Sequence, residues 1–171
     1  MKIQNVRELF EIELYYAYDC EQKLVKKGLP AMIEAATSPD LKTALEQHLE
    51  ETRGHIRRLE QVFTEAGLTA DSKGNDVLEK MMDAAKDSKS HIESSALRDA
   101  ALIINGNAVE HYEIAMYGSL VALARVMRLE GAVRLLESTL MEEKAADAKL
   151  TEIAETSVNP RAAQSGRAAG V

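Results

Sequence analysis

Apolar residues recur every three to four positions along almost the whole chain, and no stretch sustains the period-two alternation of a half-buried strand. The pattern predicts an all-α fold. A first helix is expected over residues 5–36, bent at Gly28-Leu29-Pro30 because Pro30 removes a helical hydrogen bond. Ser38-Pro39 reads as an N-cap and first helical residue, opening a second helix that runs to about Ala66 with Gly67 as its C-cap. The polar, turn-rich residues 68–75 form a loop before a short helix over residues 76–89. A third long helix spans residues 95–128, and Gly131 marks the break before a fourth that runs to about Ser157. Residues 159–171 lack apolar periodicity, so the domain is expected to cover residues 1–158 and the tail, 159–171, to be disordered.

Two hairpins of long helices, joined by a connection of roughly 25 residues with its own short helix, make a four-helix bundle with one long crossover, the connectivity of ferritin-like folds. In such a bundle the inward stripe of each helix advances by steps of three and four. The first stripe reads Phe10, Leu14, Ala17, Glu21, Leu24, with one carboxylate midway. The second reads Leu41, Leu45, His48, Glu51, His55, Leu59, with three ligand-type side chains together. The third reads Ile103, Gly106, Glu110, Glu113, Tyr117, Leu120, and the fourth Val133, Leu136, Leu140, Glu143, Asp147, Leu150. Glu21 and Glu51 are 30 residues apart, as are Glu113 and Glu143, and each pair straddles its turn similarly. The acids of both hairpins should therefore meet at one level.

Buried carboxylates cost several kcal/mol each to desolvate and repel one another. The four stripes contain no Lys or Arg. Neutralisation is left to protons on one or two acids, to a long cationic side chain entering from a flank, or to bound metal. A carboxylate-rich set with one or two imidazoles suits iron or manganese, whereas structural zinc prefers Cys and His in a tetrahedral site. The favoured reading is two iron ions, with manganese second, held by Glu21, Glu51, Glu110, Glu113 and Glu143. His48 and His55 stand as further ligands or as neighbours of the ligands, and Asp147 is expected at the surface. The alternative is a polar-layered bundle whose acids are protonated or solvated. The Glu-x-x-His pairs usual in ferritin-like ligand sets are absent.

Composition narrows the setting. Among 171 residues Trp is absent and Phe and Tyr are few, so Leu, Ile, Val, Ala and seven Met must build the core, which favours helices. A net charge of −7 weighs against a nucleic-acid partner. One cysteine, Cys20, cannot close an intramolecular disulfide, and the acids near the N-terminus are unlike a signal peptide, so a cytoplasmic protein is expected. The longest weakly polar runs reach about half the ~20 residues of a membrane span, so no membrane insertion is expected.

Five segments carry a family resemblance: Asp19-Cys20-Glu21; His48-Leu49-Glu50-Glu51-Thr52; residues 98–103 (RDAALI); Glu110-His111-Tyr112-Glu113-Ile114 with Tyr117-Gly118-Ser119-Leu120; and Glu142-Glu143-Lys144 with Asp147. Over about residues 3–158 the chain resembles the YciE/YciF family of bacterial, stress-associated ferritin-like proteins. The resemblance implies a ferritin-like four-helix bundle, usually a homodimer, with a dinuclear metal site related to that of rubrerythrin. Carried over residue by residue, it implies Glu21 on the first helix, Glu51 on the second, Glu110 and Glu113 on the third and Glu143 on the fourth. Where the rubrerythrin pattern has histidines, three residues after Glu51 and Glu143, this chain has Gly54 and Ala146, and it lacks the rubredoxin-like Cys-x-x-Cys module. The function so implied is binding of a dinuclear metal centre, acting on oxygen or peroxide in a stress response. The alternative is a stress-induced structural or interaction protein with a vestigial or purely structural metal site.

Overall fold

Asn5 opens the first helix by accepting a hydrogen bond from the Glu8 N–H at 3.0 Å, while the Glu8 carboxylate accepts from Gln4 N and Asn5 Nδ2. In the computed structural model, which describes residues 2–165, α1 (Val6–Lys23) runs through a π-helical turn, Leu24–Gly28, into α2 (Leu29–Ala35). The expected bend is therefore a widened turn. Leu29 N bonds Leu24 O, five residues back, and the extra residue makes room for Pro30, which has no N–H to donate.

Ser38 caps α3 (Pro39–Glu65), with Pro39 at its first position as expected. The helix ends at Gly67, whose φ of +64° is the left-handed conformation glycine tolerates, with Leu68 N donating to Phe63 O at 2.8 Å. The crossover carries α4 (Asp76–Ser90), pinned to α1 by Asn75, which donates to Tyr16 O and accepts from Leu78 N. The second hairpin is α5 (Ser95–Val126) and α6 (Glu130–Ile153). Its break lies at residues 127–129, where Arg128 is left-handed at φ 58°, and Gly131 stands beside it as expected, in the first turn of α6 and close to Glu65. Leu129 N donates to Ala124 O at 3.0 Å, the same helix-ending bond that Gly67 permits in the first hairpin.

Beyond α6 a second π-helical turn, Ala154–Val158, leads into α7 (Asn159–Ser165), and again a proline, Pro160, follows the turn by two residues. The folded part therefore does not stop at 158. Residues 159–165 are helical, α7 packs on α5, and Val158 and Ala162 are buried. Two small apolar residues four apart are too weak a pattern to stand out in the sequence. Residues 166–171 of the expected tail lie outside the described residues.

The long helices pack as α1 against α3 and α5, and α6 against α3 and α5, closing a four-helix bundle with one long crossover, the ferritin-like arrangement. The described residues contain no strand, and none of their helices is long and apolar enough to cross a membrane. At one end Phe10, Leu14, Leu59, Val62, Phe63 and Leu136 fill the core; at the other, Leu29, Leu41, Leu45, Ile103 and Leu150 do so. Each such side chain contributes roughly 1.5–3 kcal/mol on burial. These apolar ends hold a polar middle in place.

Candidate metal centre

Six ionisable side chains converge midway along the bundle: Glu21 from α1, His48 and His55 from α3, Glu110 and Glu113 from α5, and Glu143 from α6, all of them buried. His55 Nδ1 lies 3.3 Å from Glu21 Oε1 and 2.9 Å from Glu143 Oε1. His48 Nε2 lies 3.3 Å from Glu110 Oε1 and 3.8 Å from Glu143 Oε2. The ligand atoms fall into two overlapping groups, each with its members within 4.8 Å of one another: Glu21, His55 and Glu143, and His48, Glu110, Glu113 and Glu143. Glu143 belongs to both.

Glu51 is not brought into this cluster. Its side chain is 33% exposed, its Oε1 accepts from Gln47 Nε2 at 2.9 Å, and its Oε2 lies 3.6 Å from His48 Nδ1 at the outer edge. The reason is register. The buried residues of α3 run Leu41, Leu45, His48, Thr52, His55, Leu59 and Val62, alternating steps of four and three without a break. Thr52, not Glu51, takes the inward position, and its hydroxyl donates to His48 O at 2.7 Å. Asp147 also stays outside, pairing with exposed His111 at 3.4 Å.

The surroundings set the protonation of the cluster. Burial pushes the Glu110 carboxyl up to about 8, with Glu143 adding to the rise against the pull of His48. Burial also carries Glu113 well above the usual carboxylate range, reinforced by Glu143 and Glu21, and raises Glu143 in spite of His55. Desolvation opposes charge on His55, but the carboxylates of Glu21 and Glu143 outweigh it and push the imidazole up to about 11. Without metal, shared protons keep the site near neutrality.

Protons do not satisfy the geometry. Glu21 Oε2, His48 Nδ1, Glu110 Oε2, Glu113 Oε2 and Glu143 Oε2 are buried with no hydrogen-bond partner, while His55 Nδ1 and Glu143 Oε1 face each other at 2.9 Å. Each such group costs about 1–3 kcal/mol when left unpaired, so five in one cavity mark a place that could hold a metal ion. Oxygen-rich donors with two imidazoles fit a divalent metal of the iron or manganese type. The residues present fit the group.

Four neighbours complete the site, of which Glu142 and Arg58 carry no signal of this role in the sequence. Glu142 Oε2 accepts from His55 Nε2 at 2.9 Å, which leaves Nδ1 facing Glu21 and Glu143, the nitrogen that would give up its proton to a bound metal. Arg58 enters from the flank of α3, pairs with Glu142 and donates from Nε to Thr139 Oγ1 at 3.0 Å. Glu142→Ala should therefore lower metal affinity by ~10–100-fold, the range for lost outer partners of a ligating histidine, as a calorimetric titration would show. Tyr117 donates to Glu21 Oε1, and the buried Cys20 thiol, held protonated by burial, lies 3.7 Å from Glu113 Oε1.

Residues 5–163 match the family model described as "Domain of unknown function (DUF892)". The chain is 37% identical to Protein YciF of Escherichia coli K12 over 163 residues, spanning 95% of this chain and 98% of that protein. The crystal structure of the E. coli stress protein YciF superposes with a TM-score of 0.87 at 36% identity, covering 92% of this chain and 99% of that one. YcfI from Rhodopseudomonas palustris superposes with a TM-score of 0.85 at 40% identity, over 88% and 95% of the respective chains. The family model extends five residues past the boundary at 158, in agreement with the buried Ala162 of α7. A matching family model over most of the chain and a near full-length likeness to YciF make this chain a member of the YciF-like DUF892 family.

Proposed function

We propose that the protein binds two metal ions, iron first and manganese second, in the middle of the bundle. One ion is held by Glu21, His55 and Glu143, the other by His48, Glu110, Glu113 and Glu143, with Glu143 common to both. The observation that carries this reading is the set of five buried, unpartnered donor atoms contributed by four different helices. When bound, such an ion pair supplies redox and Lewis-acid chemistry toward oxygen or peroxide. The chain's own residues hold and orient the ligands: Glu142 fixes the His55 tautomer, Tyr117 anchors one Glu21 oxygen, and the apolar ends exclude water. The E. coli relative is a stress protein, and a role in a stress response, in the cytoplasm, is proposed here for this chain.

Anaerobic titration with ferrous iron, followed by calorimetry in buffers of different ionisation enthalpy, tests this. Saturation at two equivalents per chain is expected, with protons released from Glu110, Glu113 and His55 at neutral pH. Absence of saturable binding would overturn it.

A homodimer is proposed as the working assembly. The outer face of α5 carries exposed Leu97, Ile104 and Val126 on one stripe with Ala115 and Ala122, interrupted by exposed His111, a largely apolar surface suited to a second copy. Light scattering should give twice the 18.8 kDa chain mass; the monomer mass would contradict it.

A further inference from the structure

A groove of about 550 Å³ runs between the first half of α3 and the last turns of α6 and ends on His48 and Glu110. Of the six converging residues, only these two line it. The groove therefore reaches one side of the centre and leaves Glu21 and His55 enclosed.

The volume is informative. Oxygen, peroxide or a water molecule needs only a few tens of Å³, whereas grooves of ~300–1,000 Å³ accept organic molecules. The walls are mixed: the edges of Leu45, Leu150 and Ile153 give an apolar strip beside Thr43, Gln47 and Thr156, and two alanines, Ala145 and Ala146, leave the space open. At the mouth stand three carboxylates, Asp40, Glu51 and Glu152, and one cation, Lys149, whose Nζ is already paired with Glu152 at 2.9 Å. An incoming carboxylate or phosphate meets repulsion there, and an ammonium group meets attraction.

We propose that this groove is a binding site for a small aliphatic amine, its chain along Leu45, Leu150 and Ile153 and its ammonium group at the mouth carboxylates. The proposal deepens the metal-binding reading and rests on it for the purpose of the site; binding in the groove itself depends only on the walls and the mouth.

The test titrates the full-length protein, as purified and with its metal content measured in parallel, with hexylamine, hexan-1-ol and hexanoate, reading methyl resonances of the leucines and alanines by NMR. Hexylamine should bind saturably and at least ~10-fold more tightly than hexan-1-ol, the share of one charge-assisted contact, and hexanoate more weakly still. Ala146→Leu, which fills the groove, should abolish the binding; Ala145→Leu, at a more exposed position, serves if that variant does not fold. Asp40→Asn should reduce the preference for the amine. Equal binding of the three probes, no binding of hexylamine, or binding unchanged by the leucine variants would overturn the proposal. A change of molecular mass in the leucine variants would overturn it too, by making the groove an interface between copies. Amine binding with no metal in the protein would retain this site and remove only the dinuclear reading.

Discussion

Glu143→Ala is expected to empty the centre while leaving the bundle helical. Glu143 is the one side chain in both ligand groups, so its loss removes a donor from each position at once. The affinity for metal should fall by more than the ~10–100-fold that follows loss of an outer partner. Metal per chain, measured after purification without chelator, should drop from two toward zero, and circular dichroism should be unchanged. The stability of the metal-free variant should be equal to or above that of the wild type, because removing one buried acid relieves desolvation and its repulsion with Glu110 and Glu113. Glu51→Ala is the contrast: a partly exposed side chain bonded to Gln47 should leave metal content intact. Two ions retained in Glu143→Ala would contradict this assignment, and unfolding of the variant would assign Glu143 a structural role.

Metal-free protein should become less stable as pH rises from about 5 to 9. Glu110 titrates at about 8 in the folded chain against an ordinary value of 4.5, so across that interval the folded state keeps a proton that the unfolded state releases. Stability is then fully present below the unfolded value and lost as pH climbs through the folded one. His55, pushed up to about 11 from 6.5, acts with the same sign and extends the decline to higher pH. Glu51, lowered chiefly by its hydrogen bond with His48, acts in the opposite direction but only in acid, outside this window. At ~1.4 kcal/mol per pKa unit, Glu110 alone makes the change about 3–5 kcal/mol. Urea unfolding of chelator-treated protein at pH 5.5 and pH 9 measures it, and a flat or rising profile would contradict the burial of these acids. Metal should reverse the trend, since the ligands bind deprotonated and affinity climbs with pH.

The helical spacing was enough to place Glu21, Glu110, Glu113 and Glu143 at one level, because each interrupts an otherwise apolar stripe near the middle of a long helix. On α3 the same spacing held the answer to Glu51 as well. Strict alternation of four and three after His48 leads to Thr52, and departing from it for the sake of a carboxylate shifted the reading by one residue. Glu142 and Arg58 were beyond reach, since each sits beside the stripe and meets His55 only through packing of α3 on α6. The π-helical turns were half legible: Pro30 announced a disturbance but not that the helix would absorb it by widening, and Pro160 was hidden in a segment with too little apolar signal. Gly131 marked the place of the second break but not its conformation, since the left-handed residue is Arg128 and the helix-ending hydrogen bond forms there without a glycine.

The most direct test of a dinuclear centre is an anomalous difference map at the iron edge, from crystals grown anaerobically with ferrous iron. Two peaks about 3.5–4 Å apart are predicted, one among Glu21, His55 and Glu143 and the other among His48, Glu110, Glu113 and Glu143. A map with no peak between these side chains, or with iron only on the protein surface, would contradict it.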